Sequence, residues 1–175
     1  MKRLIICITA FILGLSNILA QTQSGHRTDN FRSSGYKWTL SYTNHYLIWQ
    51  GLETSHGYML NEHHYLGAGL GAFFAPVDGM PVYGRAFIDY TSYILRKNST
   101  PVAGIRAGFC HAFHYTDGCK FRNAAEVEPS VGWSWTLKSG KGLLLTLGAP
   151  CYLTSTSGFS FVMLWMPKLS VGLEF

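Results

Sequence analysis

Val162-Met163-Leu164-Trp165-Met166-Pro167-Lys168-Leu169-Ser170-Val171-Gly172-Leu173-Glu174-Phe175, the end of the sequence, decides the reading of the rest. From Pro167 onward apolar and polar residues alternate strictly, which is the period of an extended strand with two unlike faces. Leu169, Val171, Leu173 and Phe175 share one face; Lys168, Ser170, Gly172 and Glu174 share the other. In a soluble sandwich the apolar face would meet a core, and a chain seldom stops on its best hydrophobe. In a transmembrane barrel that face meets lipid, and aromatic rings mark the interface.

The opposite end of the chain reads as a leader. Lys2 and Arg3 precede an apolar run from Leu4 to Leu15, and Asn17-Ile18-Leu19-Ala20 forms a cleavage pattern before Gln21. That run is about a dozen residues, short of the roughly 20 that span a bilayer. Residues 1–20 are therefore expected to be a signal peptide, 21–35 a polar flexible lead-in and 36–175 one barrel domain. Removing Lys2 and Arg3 from the 14 basic residues leaves 12 against 9 acidic ones. Such a small, scattered excess argues against nucleic acid as a partner. Ten Tyr, eleven Phe, five Trp and nineteen Gly say more. Aromatics favour strands, and glycine suits crowded barrel interiors and turns.

Eight extended segments are expected, over 36–44, 50–60, 64–75, 81–95, 101–114, 122–136, 142–153 and 162–175. Short polar breaks at Asn61-Glu62-His63, Lys97-Asn98-Ser99-Thr100 and Lys138-Ser139-Gly140 alternate with longer ones around Tyr46, Pro76 to Met80, Tyr115 to Lys120 and Thr154 to Phe161. An even strand count with short turns at one end and longer loops at the other is the outer-membrane pattern. The fold class is all-β: an eight-stranded antiparallel up-and-down transmembrane barrel, with the termini and short turns on the periplasmic side.

The charges test this frame. Lys37, Arg85, Arg106 and Lys168, with Glu53, Asp89, Glu126, Glu128 and Glu174, all fall on the polar faces of their strands. A Lys or Arg facing lipid near the midplane costs about 2–4 kcal/mol, so the charged face must be the lumen. Eight strands leave an interior that side chains can fill, so a plugged barrel is expected, not a pore. Within it, Arg85, Asp89, Arg106, Glu126 and Glu128 form the expected charge cluster. Counting back from the Lys97-Asn98 turn pairs Arg106 with Asp89; on its other side Arg106 meets Glu126 or Glu128. A soluble lipocalin-like barrel would need the inverse, an apolar lumen and a charged exterior. Pro129, Pro150 and Pro167 fall inside strands, where bulges are expected to accommodate them.

The stretch Thr54-Ser55-His56-Gly57-Tyr58-Met59-Leu60-Asn61-Glu62-His63-His64-Tyr65-Leu66-Gly67-Ala68-Gly69-Leu70-Gly71 resembles the hairpin of small exported barrel proteins of Bacteroides-type bacteria. Pro81-Val82-Tyr83, Thr100-Pro101-Val102 and Arg106-Ala107-Gly108 resemble that family's next strands. The resemblance spans about residues 50–175. It implies an outer-membrane barrel similar in build to the OmpA/OmpX type, and it carries over no catalytic residues.

Few residues offer other chemistry. His111 and His114 beside Cys110 and Cys119 have the residue types of a metal site without the tight paired spacing of zinc ligands. A disulfide between Cys110 and Cys119 suits an exported chain better, though Cys119 lies off the lumen-facing parity. No metal or cofactor is assigned. Asn98-Ser99-Thr100 matches a glycosylation sequon but lies in a tight periplasmic turn. Glu53, Ser55 and His56 supply the types for a lipid-active barrel enzyme, yet neighbours on a strand point to opposite faces. The expected role is thus non-catalytic: a structural or surface-interaction protein of the outer membrane, surrounded by lipid, whose extracellular loops could meet a protein or glycan. A lipid-active enzyme and a soluble ligand-binding barrel remain the alternatives.

Overall fold

The computed structural model describes residues 32, 34–75, 82–113, 123–137, 139–156 and 160–175, without the side chains of 155–165. Ten strands, all paired antiparallel, make eight staves: β1 (Gly35–His45), β2 (Trp49–Met59), β3 (His64–Phe74), β4 (Val82–Tyr93), β5 (Ser99–Ala112), β6 (Asn123–Thr136), β7 (Gly142–Gly148) continued by β8 (Cys151–Thr156), and β9 (Ser160–Trp165) continued by β10 (Lys168–Glu174). Each stave pairs with its sequence neighbour, and β1 with β10 closes the ring. At the seam, Trp38 N donates to Phe175 O at 3.1 Å and Phe175 N to Trp38 O at 2.9 Å, so the terminal aromatic residue is part of the wall. No helix occurs among the described residues.

The register fixes the barrel's geometry. Moving between ladder partners, Gly35 leads to Met59, Tyr65, Thr91, Gly104, Ser130, Gly148, Lys168 and back to β1 at His45. The walk returns ten residues further along the strand on which it began. With strands about 4.8 Å apart and about 3.3 Å per residue, that stagger tilts them by about 40°.

The prolines overturn one expectation: no bulge accommodates them. Ser130 pairs with Gly148 and Val127 with Cys151, three residues on along both staves, so the register runs unbroken past Pro129 and Pro150. Lys168 with Gly148 and Trp165 with Cys151 show the same continuity past Pro150 and Pro167. Each proline sits at a pair that would normally exchange two bonds, and it still accepts one. Ala149 N donates to Pro129 O (2.9 Å), Met166 N to Pro150 O (3.3 Å) and Tyr46 N to Pro167 O (2.9 Å). The lost donor costs about 1 kcal/mol apiece without displacing the strand.

A second difference lies at the rim opposite the termini. The β1–β2 connection is only Tyr46-Leu47-Ile48, not a long loop. Tyr46 and Leu47 have φ of 50° and 61°, and Ile48 N donates to His45 O at 3.2 Å, a turn of type I′ hand within the three-residue connection. The connection from β8 to β9 is likewise short. The longer links are those between β3 and β4 and between β5 and β6, which lie largely outside the described residues.

The two faces of the wall differ sharply. Outside, Leu52, Leu70, Ile88, Val131 and Leu147 are all more than half exposed, the inverse of a soluble barrel. At the end bearing the termini, Trp38 stacks on Phe175 (centroids 4.2 Å apart) and Trp133 lies beside Trp135; Phe74, Phe109 and Phe113 are exposed towards the opposite end. Inside, Met59, Tyr65, Tyr93, Val102 and Leu144 form an apolar layer near the termini, where Lys37 and Glu174 meet Tyr93, and the other buried charges lie beyond it.

Candidate functional site in the barrel lumen

Alternation on six staves sends nine charged side chains inwards, and burial forces them to find one another. Lys37 is nearly so, and the other eight are fully buried. Arg106 pairs in register with Asp89 on β4 and Glu128 on β6, with Nη2 at 3.3 Å from Asp89 Oδ2 and Nη1 at 3.8 Å from Glu128 Oε1. Glu126 does not join it. That carboxylate pairs instead with Arg85, whose Nη2 stands 2.7 Å from Glu126 Oε1 and 3.0 Å from Glu128 Oε2.

The hub of the cluster is Glu53, a residue placed in the lumen by alternation but outside the expected group of five. Its carboxylate takes Arg85 Nη1 at 2.5 Å, Arg106 Nη1 at 3.1 Å and Lys168 Nζ at 2.9 Å to both oxygens. Lys168 reaches Glu128 Oε2 as well, at 2.8 Å, and its side chain is 0% exposed. Three cations and four carboxylates thus form one network across the barrel axis. Most members touch more than one opposite charge, but Glu126 rests on Arg85 alone and Asp89 on Arg106 alone, so removing either arginine strands a buried carboxylate, the costly case for buried charge.

Glycines make the space. A Cβ on Gly71 would meet Glu53 Cγ at 2.7 Å and Arg85 Cγ at 3.2 Å, and one on Gly148 would meet Glu128 Oε1 at 2.7 Å. Contacts that close force a shift in packing as dense as this.

A smaller network closes the lumen near the termini. Glu174 accepts from Lys37 Nζ (2.9 Å), Tyr93 Oη (2.6 Å) and Ser134 Oγ (2.7 Å). Arg32, in the expected lead-in, donates to Ser134 Oγ at 2.9 Å and lies over the Tyr93 ring. Among the described residues, with Arg32 counted, five cations face five carboxylates in the lumen.

The remaining candidates are dispersed. Cys110 is buried and donates to Glu126 Oε2 at 2.9 Å. His111 Nδ1 and Asn123 Oδ1 share a hydrogen bond of 2.7 Å. His114 and Cys119, and with them the expected disulfide, lie outside the described residues. Ser55 Oγ contacts Tyr65 Oη at 2.9 Å inside the lumen. His56 is on the outer face, bonded to Tyr36 Oη (2.6 Å) and Thr54 Oγ1 (3.0 Å) and stacked on Trp38. The wall itself separates that Ser from that His.

Two solved structures share this build. The N-terminal β-barrel domain of OprF from Pseudomonas aeruginosa superposes with a TM-score of 0.58 at 12% identity, covering 82% of this chain and 98% of its own. Neisserial surface protein A gives 0.56 at 11% identity, with the same coverage of 82% and 98%. The fold is that of an eight-stranded outer-membrane barrel. Identity this low speaks for the fold alone. No protein-family model matches the chain, and no curated protein matches it.

Proposed function

We propose that the chain is exported by its N-terminal leader, resides in the outer membrane and acts there as a closed barrel with a structural or surface-interaction role. It is neither a pore nor an enzyme on this reading. The observation that carries it is the sealed cross-section at Glu53, Arg85, Arg106, Glu128 and Lys168, where every charge is buried in ion pairs. Ions would have to break those pairs to pass. The apolar exterior and aromatic bands support the lipid setting. Contacts with a protein or glycan then fall to the long links from Phe74 to Val82 and from Ala112 to Asn123, at the end away from the termini. The likeness to Bacteroides-type exported barrels fits this assignment without naming a partner.

Planar-bilayer recording tests it. Purified protein at high insertion density should give no conductance steps above the bare membrane, and Lys168→Ala together with Glu53→Ala should introduce them. Steady steps from the unaltered protein would overturn the closed-barrel reading.

A further inference from the structure

Beyond the charge network, towards the rim opposite the termini, the lumen changes character. A cavity of about 80 Å3 is walled by Trp49, Phe73, Tyr83 and Tyr152, with Met166 at one side and His45 among its lining residues. The rings are arranged as a box. Phe73 stacks on Tyr83 (5.2 Å between centroids) and on His45 (5.0 Å), and Trp49 stands edge-on to Tyr83 at 5.4 Å. Such walls favour a flat ring, through offset stacking and edge contacts.

One polar atom on a residue lining this box lacks a protein partner. His45 is 1% exposed, its Nδ1 lies 3.3 Å from Tyr152 Oη, and its Nε2 has no hydrogen-bond partner. A buried imidazole nitrogen left so loses the hydrogen bonding it would have in water. The wall is also low beside it. Among the described residues, Tyr46 N to Pro167 O is the last bond from the β1 end to the neighbouring stave, while β9 continues over Ser160–Trp165 with no β1 residue paired to it. The turn below that gap is Tyr46-Leu47-Ile48, and Leu47 is 89% exposed, an apolar tip suited to a lipid setting.

We propose that this cavity binds a small planar aromatic molecule carrying one hydrogen-bonding oxygen, of the phenol class. The ring lies among Trp49, Phe73, Tyr83 and Tyr152, and the oxygen completes His45 Nε2. Molecules of this kind collect at membrane interfaces, where one end is apolar and the other wet, and the gap above the β1–β2 turn gives them a way in. An acyl chain would fill the volume but leave His45 Nε2 unpaired.

The probes are phenol and toluene, alike in size and differing in the oxygen. Replacing Trp38, Trp133, Trp135 and Trp165 with Phe leaves Trp49 as a reporter inside the site. Phenol should change Trp49 fluorescence saturably and bind at least about tenfold better than toluene, the worth of one hydrogen bond to a buried group. His45→Phe should remove that preference, and Ala124→Leu, which fills the cavity, should remove both responses. Each variant is first shown to be folded by its heat-modifiable migration on gels. On the unaltered chain, the imidazole 15N signal of His45 should move on adding phenol. Equal binding of phenol and toluene, or no saturable response, overturns the proposal, as does a preference surviving His45→Phe. So does quenching of Trp49 by tail-brominated phospholipid that phenol fails to relieve, which would make an acyl chain the occupant.

Discussion

Lys168→Met is the sharpest test of the lumen network. The ammonium is fully buried, and its Nζ is 2.9 Å from both Glu53 oxygens and 2.8 Å from Glu128 Oε2. Methionine keeps most of the stem and its packing but removes the charge. Breaking a buried pair costs about 3–5 kcal/mol, because the partner stays buried and uncompensated. Here Arg85 and Arg106 remain within 3.1 Å of Glu53, so the loss should fall near the lower figure. With a urea slope of about 2 kcal/mol per molar, about 3 kcal/mol moves the unfolding midpoint by about 1.5 M. The assay is urea titration of vesicle-inserted protein, read by tryptophan fluorescence and by gel migration. The double variant Lys168→Met with Glu53→Gln should regain part of the loss, since the stranded charge is gone. A shift under about 0.5 M, or a double variant as unstable as the sum of its parts, would refute the network as the element that holds the lumen together.

Arg106→Lys should cost about 1–3 kcal/mol in the same titration, because a single ammonium replaces the two nitrogens with which Arg106 meets Glu53 through Nη1 and Asp89 through Nη2; an unchanged midpoint would speak against the fork. In vesicles of brominated phosphatidylcholine, emission from Trp38, Trp133 and Trp135 should be quenched strongly by bromine near the headgroups and weakly by bromine at the chain ends, and the reverse order would move the aromatic band away from the interface. Replacing Tyr46-Leu47 with Asn-Gly suits the type I′ turn and should leave stability unchanged or raise it by up to about 1 kcal/mol, as the strained left-handed φ values are relieved. A loss of more than about 1 kcal/mol in vesicles would mean that lipid contact at Leu47 outweighs backbone strain.

Much of the fold is legible because alternation is a local signal. The inward charges of six strands, the outward leucines of β7 and the aromatic bands follow from parity alone. The prolines and the first turn are another matter. A proline inside a strand suggests a bulge, since that is how most sheets absorb a missing donor. Pro129, Pro150 and Pro167 instead take in-register positions and keep their carbonyl bonds, a choice that depends on which neighbour each amide would have faced. Tyr46-Leu47 carries no Asn or Gly to announce two left-handed residues in a tight connection, so exposed apolar residues hide a turn that backbone preference alone would not place there.

The centre of the lumen is harder to read for a different reason. Ladder neighbours can be counted from turn lengths, and that counting is enough to set Arg106 beside Asp89 and Glu128. Glu53 has only Ser41 and Gly71 as ladder partners, and Lys168 has only His45 and Gly148. Neither gains an opposite charge along the wall, so pairwise reading leaves both without a role. They meet across the lumen because the ten-residue stagger brings β2 and β10 to the same height, and that stagger is a sum over every turn. Yet the sequence holds a usable sign. Gly71 and Gly148 sit beside the two orphans and give up their side-chain volume to them, with Gly71 against Glu53 and Gly148 against Glu128, the second carboxylate of Lys168. An inward charge flanked by glycine and a small or neutral residue has nothing to pair with on its own wall and room to lean over. In a closed eight-stranded barrel, where a stranded charge costs several kcal/mol, its partner must then be sought on another inward-facing strand.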